Sequence, residues 1–327
     1  MCVKRISQMD WGTMGNRRFQ QVNLAPKPES QLLREEYEDD HCDDKIDLAL
    51  SVYRTEEGEP WVPTVIRRVE KMMAMDASLD HEYHWFSGLE PLTTVVTGLL
   101  LGAESRHVRE NKVVTFQSVG GTGALRIGAQ FLSKEMGYDT FCVSSPSWGD
   151  HEIVFRMAGF TTVLNYRYWS DVTKFLDITG LLEDLSKAPE NAVVVLQPSA
   201  HNPTGCDPSR EQWARIADVI QEKKLFPFFE VPYQGFASGD LDDDIWPVRF
   251  FADRGLEFMV AYSLALSTAL YNERVGALAV VLNDSLDVEA VRTRLQVTVR
   301  TMYCSPPAHG AVIAIRTLSD PVNFQEW

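Results

Sequence analysis

The residues of this chain that could do chemistry stand where short apolar runs end. The densest group is Gln117-Ser118-Val119-Gly120-Gly121-Thr122-Gly123-Ala124-Leu125-Arg126. Before it lies Val113-Val114-Thr115-Phe116, with the β-branched and aromatic bias of a strand. After it, Leu125, Gly128, Ala129 and Leu132 recur at helical spacing. A strand that passes through glycines into a helix presents free backbone N–H groups at the positive end of a dipole, a ready anion site. The plainer alternative is a tight turn whose glycines serve only the backbone. Two familiar phosphate motifs do not fit. Arg126 stands where a dinucleotide fingerprint needs its third glycine, and no Gly-Lys-Ser/Thr follows for a P-loop.

Other apolar runs end in the same way. Phe141-Cys142-Val143 leads to Ser144 and Ser145, and Val193-Val194-Val195-Leu196 to Gln197 and His201-Asn202-Pro203-Thr204-Gly205. Phe226-Pro227-Phe228-Phe229 leads to Glu230 and Tyr233, and Phe258-Met259-Val260-Ala261 to Tyr262 and Ser263. Continuous apolar strands alternating with helical segments predict an α/β fold, a mostly parallel sheet covered by helices on both faces. Ligands of such sheets sit outside the carboxyl ends of the strands, so these polar ends should converge on one site with the Gly121 turn as its anion cradle.

At 327 residues the chain can hold one large α/β domain and a smaller piece. A formal charge of −15 argues against nucleic acid and anionic membranes as partners. Small anionic substrates stay possible where arginines face the site. Cys2, Cys42, Cys142, Cys206 and Cys304 are scattered without metal-ligand spacing, which fits buried thiols in a reducing compartment. No apolar run approaches the roughly 18 residues of a membrane span, and the N-terminus lacks a signal peptide's apolar core. A soluble cytoplasmic protein is expected. Residues 1–30 read as a tail or arm. The acidic run Glu35-Glu36-Tyr37-Glu38-Asp39-Asp40-His41-Cys42-Asp43-Asp44 reads as a solvated face rather than a metal site, and no metal is expected. Trp61 to Met75 and Gly88 to Leu101 read as helices, the first with Val62, Val65, Ile66, Val69 and Met73 on one side.

The ordered motifs resemble the aspartate aminotransferase family of fold-type-I, pyridoxal-phosphate-dependent enzymes. The segments that carry the resemblance are the Ser118–Arg126 turn, His201-Asn202-Pro203-Thr204-Gly205, Tyr233-Gln234-Gly235-Phe236-Ala237-Ser238-Gly239 and Tyr271-Asn272-Glu273-Arg274-Val275-Gly276. It extends over about Ile46 to Trp327 and takes in Val52-Tyr53-Arg54-Thr55, His81-Glu82-Tyr83, Ser144-Ser145-Pro146-Ser147-Trp148 and Ser305-Pro306-Pro307. It implies residues 31–60 as the N-terminal part of a small domain and 61–327 as the large cofactor-binding domain. The C-terminal segment of the small domain, which carries the family's arginine for the substrate α-carboxylate, is expected to be absent, leaving that domain incomplete.

The resemblance also implies roles. Gly121, Thr122, Ser263 and Arg274 would hold the cofactor phosphate, a set of backbone dipoles, one hydroxyl and one guanidinium suited to a dianion. Trp148 would stack on the pyridine ring, and Asn202 and Tyr233 would donate to its phenolic oxygen. Glu230 takes the place of the family's aspartate, which pairs with the ring nitrogen, and His151 that of the acid's partner. Tyr83 and Arg300 match residues given across a dimer interface, the tyrosine to the phosphate and the arginine to the substrate's distal carboxylate. Ser51, Trp148 and Asn202 would border the substrate. A homodimer, or a heterodimer with a related subunit, and small dicarboxylic amino and keto acids are the implied partners.

The departures are chemical. Counting back from Tyr271, Ser263 is retained, Ala265 replaces a serine, and Leu266 stands at the family's Schiff-base lysine. No lysine occurs after Lys224 to substitute for it. That amine is both nucleophile and proton carrier, and general acid–base catalysis alone is worth about 10²–10⁴-fold. Ser51 replaces a glycine, and His84-Trp85-Phe86 replaces a smaller Leu-Pro-Ile. Glu230 is one methylene longer than aspartate, enough to move a preorganised contact by about an ångström. The family reaction converts L-aspartate and 2-oxoglutarate to oxaloacetate and L-glutamate. The resemblance implies that reaction, with Leu266 set against its catalysis, and the alternative is a non-catalytic protein that binds pyridoxal phosphate noncovalently or serves as a dimer partner.

Overall fold

The computed structural model describes residue 19 and residues 21–327. The tail expected over 1–30 therefore lies mostly outside the described residues. Two compact units divide at Leu50 and Ser51. In the first, the helix Glu29–Asp39 buries no side chain and is laced by exposed pairs, Arg34 to Glu38 among them. The acidic run that begins on it is largely exposed, as a solvated face requires.

The second unit is built on nine strands among the described residues: β1 Val113–Val119, β2 Thr140–Ser145, β3 Thr162–Arg167, β4 Trp169–Ser170, β5 Phe175–Leu176, β6 Val193–Leu196, β7 Phe226–Val231, β8 Phe258–Ser263 and β9 Val275–Val281. Seven form one sheet in the order β1-β9-β8-β7-β6-β2-β3, and β4 pairs with β5 in a small hairpin. Pairings from β8 through β3 are parallel. Strand β9 alone runs against its neighbours β1 and β8. The link Leu264–Arg274 contains no helix to carry the chain back across the sheet, so β9 must return antiparallel.

The main strands are buried on both faces, and their alternation sorts side chains into two cores. Val194, Leu196, Phe229, Val260 and Tyr262 enter one. Val193, Val195, Phe228, Met259 and Ala261 enter the other, beneath the helix Gly120–Glu135. The strands β3 and β9 are not evident as runs in the sequence reading. The first alternates with exposed polar residues at the sheet edge, and the second is short of the polar end that marks the rest. Helix starts also differ from the periodicity. The helix expected from Trp61 begins at Thr64, because Pro63 holds Val62 in extended chain, and that expected from Gly88 begins at Glu90. Val65, Ile66, Val69 and Met73 are buried as predicted, against Leu270 and Ile313.

Candidate functional site

Because β9 is antiparallel to both neighbours, β1, β8, β7, β6 and β2 point the same way and their carboxyl ends share one edge of the sheet. The polar residues that follow these runs meet there. Ser118, Gly276 and Ser263 lie in register across β1, β9 and β8. Gly276 makes this row possible: a Cβ there would fall 2.6 Å from both the Gly120 carbonyl carbon and the Tyr262 carbonyl oxygen.

The helix Gly120–Glu135 starts directly after β1, so the amides of Gly121 and Thr122 belong to its first turn. A Cβ on Gly121 would lie 2.9 Å from that of Ser263. One on Gly120, whose φ is +69°, would lie 2.6 Å from the Arg274 guanidinium. Ser263 and Arg274 therefore close directly over the helix start. Arg274 has φ +55°, a backbone conformation that costs a non-glycine residue about 1–2 kcal/mol, and its Nη1 donates to the Tyr271 carbonyl at 3.0 Å. Helix N-terminus, hydroxyl and guanidinium together form a cup for a dianion.

The opposite side is made of side chains. Glu230, near the end of β7, is 7% exposed. Its Oε2 accepts hydrogen bonds from His151 Nε2 at 2.8 Å and Gln197 Nε2 at 2.7 Å. His151 Nδ1 meets Ser147 Oγ at 2.8 Å, and the Trp148 ring stands edge-on to the imidazole at 5.2 Å. Gln197 Oε1 accepts the Asn202 backbone N–H at 2.8 Å. Asn202 Nδ2 reaches Tyr233 Oη at 3.4 Å, which in turn lies 3.2 Å from Ser51 Oγ. Ser51 thus places a hydroxyl, not merely bulk, beside the Tyr233 phenol. Below this row the buried His201 stacks on Tyr168 at 3.7 Å and is held by Thr204 and Ser144. Burial, with His151 nearby, lowers its pKa to about 4, so it is neutral at physiological pH.

The fold thus gathers Gly121, Thr122, Ser263 and Arg274 in one cup, and Ser51, His151, Asn202, Glu230 and Tyr233 along one hydrogen-bonded wall, with the Trp148 ring against His151. It does not bring Tyr83 or Arg300 to either. Tyr83 is 93% exposed, and the exposed Arg300 lies over the Phe86 ring, 5.5 Å from its centroid. Leu266 lines a cleft of about 700 Å³ with Tyr53, Trp61, Phe236, Phe324 and Trp327. Gln197 and Ser147 join the wall without having been assigned a role from sequence. Gln197 was visible only as the polar residue ending its strand.

The family model for aminotransferase class I and II matches residues 43–327. The cytoplasmic aspartate aminotransferase of Caenorhabditis elegans is 43% identical over 309 residues, covering 94% of this chain and 76% of that protein. Among solved structures, aspartate aminotransferase from Saccharomyces cerevisiae cytoplasm superposes with a TM-score of 0.90 at 36% identity, covering 95% of this chain and 77% of that one. An aromatic-amino-acid aminotransferase from Burkholderia pseudomallei, covalently bound to pyridoxal phosphate, gives 0.91 at 35% identity with the same coverages.

Proposed function

This chain belongs to the aminotransferase class I and II family, in its aspartate aminotransferase branch with the fold-type-I architecture, and on that premise we propose that it holds pyridoxal phosphate noncovalently without running ordinary transamination. The observation that carries this reading is a contrast inside one short segment. Ser263 and Arg274 close over the Gly120–Gly121 helix start, while the position three beyond Ser263 is Leu266 and no lysine follows Lys224.

The residues present fit the cofactor. The cup offers the N–H groups, hydroxyl and guanidinium that a phosphate dianion needs, and glycines keep it open where a Cβ would strike Arg274 or Ser263. Glu230 Oε2 is engaged by His151 and Gln197, while Oε1 accepts no hydrogen bond among the described residues and is left for a ring N–H. Asn202 and Tyr233 offer donors for a phenolic oxygen, and Trp148 a flat face. When bound, pyridoxal phosphate supplies an electron sink for charge released at a substrate's α-carbon. This chain's own part would be to hold the phosphate, keep a carboxylate at the ring nitrogen and order donors at the ring oxygen. Leu266 can neither attack the aldehyde nor move a proton. Aspartate, 2-oxoglutarate and the related dicarboxylic acids are the ligand class, and a cytoplasmic location accords with the names of the relatives.

Titrating the purified protein with pyridoxal phosphate tests the reading. Saturable binding with absorbance near that of the free aldehyde, reversed by dialysis, is expected, with no 2-oxoglutarate-dependent consumption of aspartate. Covalent attachment or turnover would refute the non-catalytic part, and absence of binding the cofactor part.

A second reading rests on Tyr83 and Arg300, which stand exposed away from their own cup. These features support a homodimer, or a mixed dimer in which this chain lends Tyr83 and Arg300 to a catalytic subunit. Co-purification with an active relative, and loss of that relative's activity on Arg300→Ala, is the expected result.

A further inference from the structure

Gln197 is 6% exposed and makes two hydrogen bonds that fix each other. The Asn202 backbone N–H can only donate, so the Gln197 atom 2.8 Å from it must be the amide oxygen. The amide nitrogen must then face Glu230 Oε2, at 2.7 Å, as a donor. The Gln197 side chain therefore cannot flip, and it presents a permanent N–H to one chosen oxygen of the carboxylate. His151 Nε2 meets that same oxygen at 2.8 Å. Both contacts converge on Oε2, and Oε1 is the oxygen that remains.

We infer that Gln197 is a positioning residue that selects which oxygen of Glu230 meets a ligand and ties that choice to the Asn202–Tyr233 row. The need for it follows from the acid itself. Glutamate has one more rotatable bond than aspartate, so its carboxylate must be ordered by neighbours to act as a fixed acceptor. His151 alone contacts one oxygen and leaves rotation about the last bond weakly determined. Adding Gln197 on the same oxygen, from the position just after the neighbouring strand β6, fixes the carboxylate plane. Through its own oxygen Gln197 also holds the Asn202 backbone, whose side chain lies 3.4 Å from Tyr233 Oη, itself 3.2 Å from Ser51 Oγ. A continuous chain of contacts then runs from Ser147 through His151, Glu230, Gln197, Asn202 and Tyr233 to Ser51. The wall should respond as a unit when its middle link is removed.

The cofactor consequence rests on the pyridoxal phosphate reading above, whereas the apo-protein consequence does not. The test compares the wild type with Gln197→Leu and with Gln197→Glu, which keeps the acceptor for Asn202 but replaces the fixed amide donor facing Glu230 with a second carboxyl that must share a proton with it. Without ligand, amide exchange at Asn202 should rise roughly tenfold or more in Gln197→Leu, the scale of one lost buried hydrogen bond, and stay near wild type in Gln197→Glu. The His151 imidazole nitrogen resonances should move in both variants, while exchange of core amides such as that of Val194 stays unchanged. With pyridoxal phosphate as the probe, Gln197→Leu should bind roughly tenfold more weakly and with a displaced absorbance maximum. Unmoved Asn202 exchange together with unmoved His151 resonances would overturn the inference, whatever binds. A wild type that fails to bind the probe would refute the cofactor reading alone, since the apo measurements still decide the role of Gln197. If both variants unfold, Gln197→Met, of similar length and without the amide, takes the place of Gln197→Leu in the same measurements.

Discussion

The cup around Gly120 and the wall around Glu230 face the same edge of the sheet but are made of different material. The cup is mainly backbone: a helix start, a strand register and glycines admitting close approach, with Ser263 and Arg274 laid over them. The wall is side chains passing hydrogen bonds along a row, and its function depends on each end group. Backbone sites survive most substitutions, because any residue supplies an N–H and only a glycine or a proline matters. Side-chain sites fail with one change, and on the reading proposed above Leu266 is such a change. A chain can therefore keep the means of holding an anion while losing the amine that would act on it.

The strongest way to break this contrast is Leu266→Lys. If only the amine is missing, borohydride should fix pyridoxal phosphate to the variant, and aspartate turnover should rise by about 10²–10⁴-fold over the parent. Absence of attachment would show that the turn aims this position into the cleft of Tyr53 and Trp61, making the loss geometric as well as chemical. Next is Gly276→Ala, which drives a methyl into the Gly120 and Tyr262 main chain. It should lower stability by about 3 kcal/mol and abolish cofactor binding, read from urea midpoints and spectral titration. A variant of wild-type stability would mean that the cup is softer than its register suggests.

The buried histidine beneath the wall should show itself in the pH dependence of stability. His201 titrates near 4 when folded, below its ordinary 6.5, because burial penalises its charged form. As pH falls, the unfolded chain takes up this proton first. The contribution is complete above pH 6.5 and is lost between 6.5 and 4, amounting to roughly 3 kcal/mol. Melting temperatures of wild type and His201→Asn, compared from pH 7 to 4, should converge toward acid. Parallel curves would remove the histidine from the account. The smallest effect is expected at Ala269, whose φ of +54° is left-handed. Ala269→Gly should relieve that strain and stabilise by about 0.5 kcal/mol net of the entropy glycine costs, measured as a small rise in urea midpoint. Destabilisation would show that the Ala269 methyl packs usefully in its cleft.

Much of the sheet was legible because β6, β7 and β8 are buried on both faces and read as unbroken apolar runs. Strand β3 was not, since an edge strand with Asn165 and Arg167 at exposed positions lacks the burial that makes a pattern. Of the site, Glu230, Asn202, Tyr233 and Ser263 could be named because each follows such a run. Gln197 ends its strand in the same manner, but nothing in a one-dimensional pattern says that its amide faces the carboxylate of the next strand.

By its order of residues alone, this chain determined an α/β sheet, a glycine-bearing helix start after β1 and the absence of lysine beyond Lys224. Those are properties of single positions and of local periodicity. Tertiary structure decided which polar ends touch. The antiparallel return of β9 sets Ser118 and Ser263 on either side of Gly276, and the pairing of β6 with β7 sets Gln197 beside Glu230. Such contacts join residues far apart in the chain, and strand register, which sequence spacing does not encode, is what brings them within hydrogen-bond distance.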